Sequence, residues 1–127
     1  MIKQPTTSEL EILNVLWEKE SATVREVFEV ISVSKPIAYT TILKLMQIMT
    51  EKGLVERNVE GKAHLYRPTI AQTETQKGLV NDLLEKVFRG SAMQLVQHLL
   101  EGKNTSPEEM KEIRKMIEKA EREAKNE

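Results

Sequence analysis

The chain has 127 residues, a formal charge of -1, no cysteine and 39% apolar residues, enough for one domain with a proper core, or a small head plus an assembly segment. The missing cysteine excludes disulfides, thiol catalysis and thiolate metal sites, and fits a reducing compartment. The near-neutral total leaves any nucleic-acid or membrane signal to the distribution of charge, while the polar start "MIKQPTTSELE" and the lack of an apolar run near about 18 residues predict a cytoplasmic protein without leader or membrane span.

The first predicted element is a helix over 7–19, "TSELEILNVLWEK", with Leu10, Leu13, Val15, Leu16 and Trp17 at helical spacing. Thr6 and Glu9 make a capping box, in which the threonine hydroxyl and the glutamate carboxylate each satisfy a backbone N–H of the first turn. Thr23 and Glu26 repeat the device before a short second helix with Val24, Val27, Phe28 and Ile31 inward. Lys35-Pro36 breaks the pattern, because proline lacks an N–H and biases the preceding residue away from helix.

A third helix starts at about 36–38. It places Ala38, Ile42, Leu45, Met46 and Met49 on one side and Thr40, Lys44, Gln47 and Glu51, spaced i, i+4, i+7, i+11, on the other. The apolar stripe is complete without those polar residues, so they are free for another task. Gly53 follows where a left-handed backbone ends a helix. "LVERNVEGKAHLYRP" then reads as two short strands joined at Glu60-Gly61-Lys62 and ended by Pro68. Three helices followed by a hairpin is the order of a winged helix-turn-helix.

The rest is helical. One helix carries Leu79, Leu83, Leu84, Val87 and Phe88 and ends near Gly90; a second, capped by Ser91, carries Met93, Leu95, Val96, Leu99 and Leu100 and closes at Gly102. The last starts with Ser106 as N-cap, Pro107 at the first position and Glu109 completing a capping box. Its Met110, Ile113, Met116, Ile117 and Ala120 form an apolar stripe on a highly charged helix, with only "REAKNE" expected to fray. The expected fold is therefore mainly α, with a winged helix-turn-helix over 1–70 and a helical dimerisation segment over 71–127.

Charge is uneven along this order. Residues 34–68 hold six basic side chains (Lys35, Lys44, Lys52, Arg57, Lys62, Arg67) against three acidic ones (Glu51, Glu56, Glu60), whereas 71–127 hold ten against eleven. A basic helix and hairpin in a near-neutral chain is what phosphate contact requires, since lysine and arginine displace the counterions condensed on DNA.

The stretches "AYTTILKL", "EKGLVER" and "GKAHLYRP", with "TSELEILNVLWE" and "ATVREVFE" before them, resemble the BlaI/MecI family of bacterial transcriptional repressors, the penicillinase repressors. The similarity continues more loosely through "FRGSAMQLVQHLLE" and the last helix. The resemblance implies a homodimer that binds a pseudo-palindromic operator in double-stranded DNA and blocks transcription, with Thr40, Thr41 and Lys44 on the recognition helix, Lys62 at the wing tip and Arg67 near the wing's base. Their chemistry suits those places. Thr40 and Thr41 can donate to phosphates or touch a thymine methyl, Gln47 can pair with adenine, and Lys44 can reach guanine or phosphate. Lys62 can meet a phosphate or the minor groove, while Tyr39 either contacts a phosphate or packs at the helix start.

The chain also departs from the family. Ile48 stands where many members have arginine, His98-Leu99 lies near the place of the Asn-Phe bond cleaved in the penicillinase repressors, and the cysteine cluster of the copper-responsive relatives is missing. Cleavage by the family's route is therefore unsupported, and the resemblance gives neither the inducing signal nor whether release uses proteolysis, a ligand or a protein partner.

No enzyme, metal site or cofactor is expected. His64 and His98 have no H-E-x-x-H or nearby acid at metal spacing, and neither a G-x-S-x-G elbow nor a P-loop occurs. The acid-rich last helix pairs its charges at helical intervals, as in Glu112/Lys115 and Glu118/Arg122. The alternative function is a winged-helix module that docks protein without specific DNA binding, for which Ile37 and Ile48 beside Thr41 offer some apolar surface. Dimerisation is expected through Leu79, Leu83, Val87, Phe88, Leu95, Leu99, Met110, Ile113, Met116 and Ile117, whose stripes have too little partner surface within one chain.

Overall fold

The structure, a computed structural model, describes residues 4–126. Its elements are α1 (Thr7–Lys19), α2 (Val24–Ser34), α3 (Tyr39–Glu51), β1 (Val55–Glu60), β2 (Ala63–Pro68), α4 (Gln72–Lys86), α5 (Ala92–Glu101) and α6 (Pro107–Lys125). The chain divides into two compact units, Met1–Val80 and Asn81–Glu127, so the division falls within α4. Among the described residues no helix is long and apolar enough to cross a membrane.

In the first unit both capping boxes form as the spacing predicts. Thr6 accepts from the Glu9 backbone N–H while Glu9 accepts from that of Thr6, and Thr23 and Glu26 repeat the exchange. These bonds fix where α1 and α2 begin, and hence which residues turn inward. Ile12, Leu13, Leu16, Val27, Ile42, Met46 and Met49 are fully buried in one core. Each such aliphatic side chain contributes about 1.5–3 kcal/mol relative to exposure.

Two inward assignments change. Ile12 is fully buried while Leu10 is half-buried, because α1 meets α2, α3 and β2 and needs a broader apolar face than one stripe. Ala38 is exposed: it is the N-cap of α3 and lies outside the helical turn that faces the core.

The end of α3 is a Schellman turn. The Leu54 backbone N–H donates to the Met49 carbonyl (2.9 Å) and that of Gly53 to Thr50 (3.1 Å), with Gly53 at φ +80°, where a side chain would be strained. Leu54 and Met49 are both buried, which is the apolar contact that accompanies this turn.

The hairpin pairs antiparallel from Val55↔Pro68 to Glu60↔Ala63, leaving Gly61 (φ +63°) and Lys62 as its two-residue turn. Positive φ at the first turn residue alone matches a type II′ connection. Two mutual backbone hydrogen bonds between Ala22 and Tyr66 (3.0 and 2.9 Å) anchor β2 to the loop after α1, and Tyr66 is buried there. The indole N–H of Trp17 donates to the Ile70 carbonyl at 2.9 Å, fixing where the chain leaves the hairpin.

Among the described residues Glu9 is the one buried carboxylate of the head, 2% exposed, and Lys52 at the end of α3 reaches it at 2.8 Å. Burial pushes this carboxyl up, but the Lys52 ammonium and the Thr6 N–H and hydroxyl outweigh burial and hold it below the usual carboxylate range. A depressed folded-state pKa contributes stability above the unfolded value that is lost as pH falls through the folded one. Lys52→Met should therefore lower stability at neutral pH by about 1–3 kcal/mol, by orphaning a buried carboxylate. It should also flatten the loss of thermal stability below the ordinary glutamate range. Melting curves at neutral pH and through that range check both; an unshifted variant at neutral pH refutes the pair's role.

In the second unit Ser91 caps α5 and Gly102 closes it, as expected. Ser106 caps α6 with Pro107 first, but only half of the box forms: Ser106 accepts from the Glu109 N–H, and the reciprocal bond is missing among the described residues. The helix runs to Lys125, so most of "REAKNE" is ordered helix; Glu127 lies outside the described residues. Glu112 and Lys115 pair at 3.4 Å, whereas Glu118 and Arg122 form no ion pair among the described residues.

Candidate nucleic-acid interface

On α3 the two sides separate as its periodicity predicts. Ile42, Met46 and Met49 are buried, while Thr40, Thr41, Lys44, Gln47 and Glu51 are exposed. Ala38 supplies no side-chain cap, unlike Thr6, Thr23, Ser91 and Ser106 at their helices, so the first-turn amides of α3 have no acceptor from this source. The Thr41 N–H donates to the Ala38 carbonyl (3.1 Å), which leaves the Tyr39 and Thr40 amides beside the threonine hydroxyls as a donor surface suited to an anion.

Tyr39 packs instead of projecting freely. Its half-buried ring takes an edge contact with Phe28 (centroids 5.7 Å apart, planes at 76°), and the Arg25 guanidinium lies 5.0 Å from its centroid. Between α2, α3 and the hairpin runs a cleft of about 460 Å³ that Tyr39 and Gln47 line from the helix. Arg25 enters it from α2; Arg57, Lys62 and His64 enter from the hairpin; among the described residues no carboxylate lines it.

The basic surplus of 34–68 is only partly available to an outside anion. Lys35 is paired with Glu11 at 2.7 Å and Lys52 with Glu9. Arg67 lies opposite Glu56 in the hairpin register, with a long exposed contact of 3.8 Å, and helps line a separate cleft with Trp17, Glu20 and Ser21. Successive strand residues face opposite ways, so Arg67 points away from the cleft that holds Arg57, His64 and Tyr66. Lys44, Arg57 and Lys62 form no ion pair among the described residues, and Arg25 joins them from α2.

The site thus brings Tyr39, Gln47 and Lys62 together, with Thr40, Thr41 and Lys44 along the same helix. Sequence reasoning missed Arg25 and His64, and counted Arg57 only as charge. A signal for Arg25 was present: it is the only cation of α2 and sits in the first turn, where the helix dipole disfavours positive charge. Ile37 and Ile48, the apolar footing for protein docking, are both half-buried, and Ile37 packs against the core.

The dimerisation candidates lie further along the chain, from Leu79 in α4 to Ile117 in α6. Leu83, Val87, Leu99, Met110, Met116 and Ile117 are exposed, with Met116 at 66%; Leu79, Phe88, Leu95 and Ile113 are half-buried. No residue of α5 or α6 is buried. The half-buried Phe88 and the exposed His98 have ring centroids 5.7 Å apart with planes tilted at 44°. Among the described residues no group of acids and histidines is placed to hold a metal.

The profile of the family described as penicillinase repressor matches residues 5–119. The methicillin resistance regulatory protein MecI of Staphylococcus aureus (strain N315) is 25% identical over 114 residues, covering 90% of this chain and 93% of that protein. The penicillinase repressor of Bacillus licheniformis is 26% identical over 117 residues, covering 92% and 91%. Among solved structures, the Bacillus licheniformis BlaI monomeric form in complex with the blaP half-operator superposes with a TM-score of 0.52 at 27% identity, over 58% of this chain and 90% of that one. A mutant MarR from E. coli complexed with operator DNA shares the fold, at a TM-score of 0.54 and 15% identity, over 91% of this chain and 75% of that one.

Proposed function

The chain belongs to the penicillinase-repressor family, and from that premise we propose that it is a sequence-specific transcriptional repressor, not an enzyme, that binds a pseudo-palindromic operator as a homodimer. One observation carries the reading: the uncovered Thr40–Gln47 face of α3 continues into a cation-lined cleft without a carboxylate among the described residues. In this reading α3 enters the major groove, with Thr40, Thr41, Lys44 and Gln47 at base edges and phosphates, while Lys62 at the wing tip meets the neighbouring backbone. Arg67, on the other side of the wing, serves the flank of the site.

Residues 1–70 act as the DNA-binding head and 71–127 as the dimerising segment, with α4 as the connection. The apolar residues of α4, α5 and α6 supply the interface, and a two-fold axis sets two recognition helices about one DNA turn apart. Such a protein works in the bacterial cytoplasm. The half-buried state of Ile37 and Ile48 disfavours protein docking by this face, since little apolar surface is left to cover.

Selection of bound fragments from random duplex DNA tests the reading. A two-fold-symmetric site should be enriched, and its affinity should fall steeply across a salt series. Weak binding of all sequences alike by the folded protein would refute the proposal and favour protein docking.

A further inference from the structure

Three features converge on Arg25. Its guanidinium is held over the Tyr39 ring at 5.0 Å, and that ring is fixed in turn by the edge contact with Phe28. Arginine stacked on an aromatic face keeps its N–H donors in the guanidinium plane available to a second partner. Arg25 enters no ion pair among the described residues, and the neighbouring Glu26 carboxylate already accepts from the Thr23 N–H. The cleft it lines has Arg57 and Lys62 on the facing hairpin and, among the described residues, no acid to balance them.

We propose that Arg25, preorganised on Tyr39, clamps a DNA phosphate in the cleft between α2, α3 and the wing, a proposal that rests on the DNA-binding reading above. The first helix of a helix-turn-helix crosses the DNA backbone, and an arginine in its first turn is where a phosphate passes. Planar guanidinium donors suit phosphate oxygens. The contact touches no base, so it contributes affinity and register without sequence preference. Tyr39 is then a positioning residue: its ring holds the guanidinium, and its hydroxyl is not required.

The test is DNA binding by the full-length protein, with the selected operator and a random duplex, across a salt series. Arg25→Ala should weaken both complexes by a similar factor, roughly tenfold, and lower the magnitude of the salt slope by about 1. Tyr39→Leu should give part of that loss, with Arg25→Ala adding little in its background, whereas Tyr39→Phe should match the native protein. Native operator binding with an unchanged Arg25→Ala affinity and slope overturns the clamp alone, as does a loss confined to the operator. A Tyr39→Phe loss equal to that of Tyr39→Leu overturns the positioning role, because the hydroxyl is then the contact. A native protein that binds neither DNA overturns the DNA-binding reading together with the clamp.

Discussion

Met116→Glu is expected to turn the proposed dimer into monomers at micromolar concentration. In one chain Met116 is 66% exposed, so a carboxylate there is hydrated and the head should melt at its native temperature. In a dimer sealed by the Met110, Ile113, Met116 and Ile117 stripe, the same carboxylate loses water without gaining a cation, at a cost of several kcal/mol. That weakens association on the order of 100-fold or more. Operator affinity should fall with it, because the second half-site is no longer bound intramolecularly. Sedimentation equilibrium and operator titration read the two effects; a persistent dimer would mean that another face makes the contact.

That exposed stripe shows which kind of information is legible in a sequence. Helix starts come from local devices: Thr6/Glu9 and Thr23/Glu26 close their bonds within one turn, and Gly53 and Gly61 mark places needing positive φ. The α3 faces follow from period alone, since Ile42, Met46 and Met49 suffice to bury one side. Ala38 shows the limit of period, which says nothing of where a helix begins.

Long-range pairings are not legible in this way. Lys52 meets Glu9 across 43 residues and Lys35 meets Glu11 across 24, so two cations counted toward DNA have carboxylate partners within the head. Arg25 gains its place only when α2 and α3 pack and bring Tyr39 beneath it. Chain order puts Arg67 near the wing's base, yet strand alternation turns it from the cleft that holds Lys62. A charge sum along the chain therefore counts together cations that the fold separates, Lys35 and Lys52 into ion pairs and Arg67 to the other side of the wing.

Thr40→Ala combined with Lys44→Ala should reduce operator affinity on the order of 100-fold, as each good base-edge contact is worth about 1–3 kcal/mol of discrimination. Both side chains are exposed on α3, and neither forms a side-chain hydrogen bond or ion pair among the described residues, so folding should be unaffected. Random duplex should lose far less, because its affinity comes from phosphate contacts through cations such as Lys62. The ratio of operator to random affinity is thus the decisive quantity, and it should collapse in this variant while staying nearly constant in Arg25→Ala. Titration of both duplexes at one salt concentration separates the two behaviours. Unchanged discrimination in the double variant would show that Thr41 and Gln47, three residues before and after Lys44, read the operator instead.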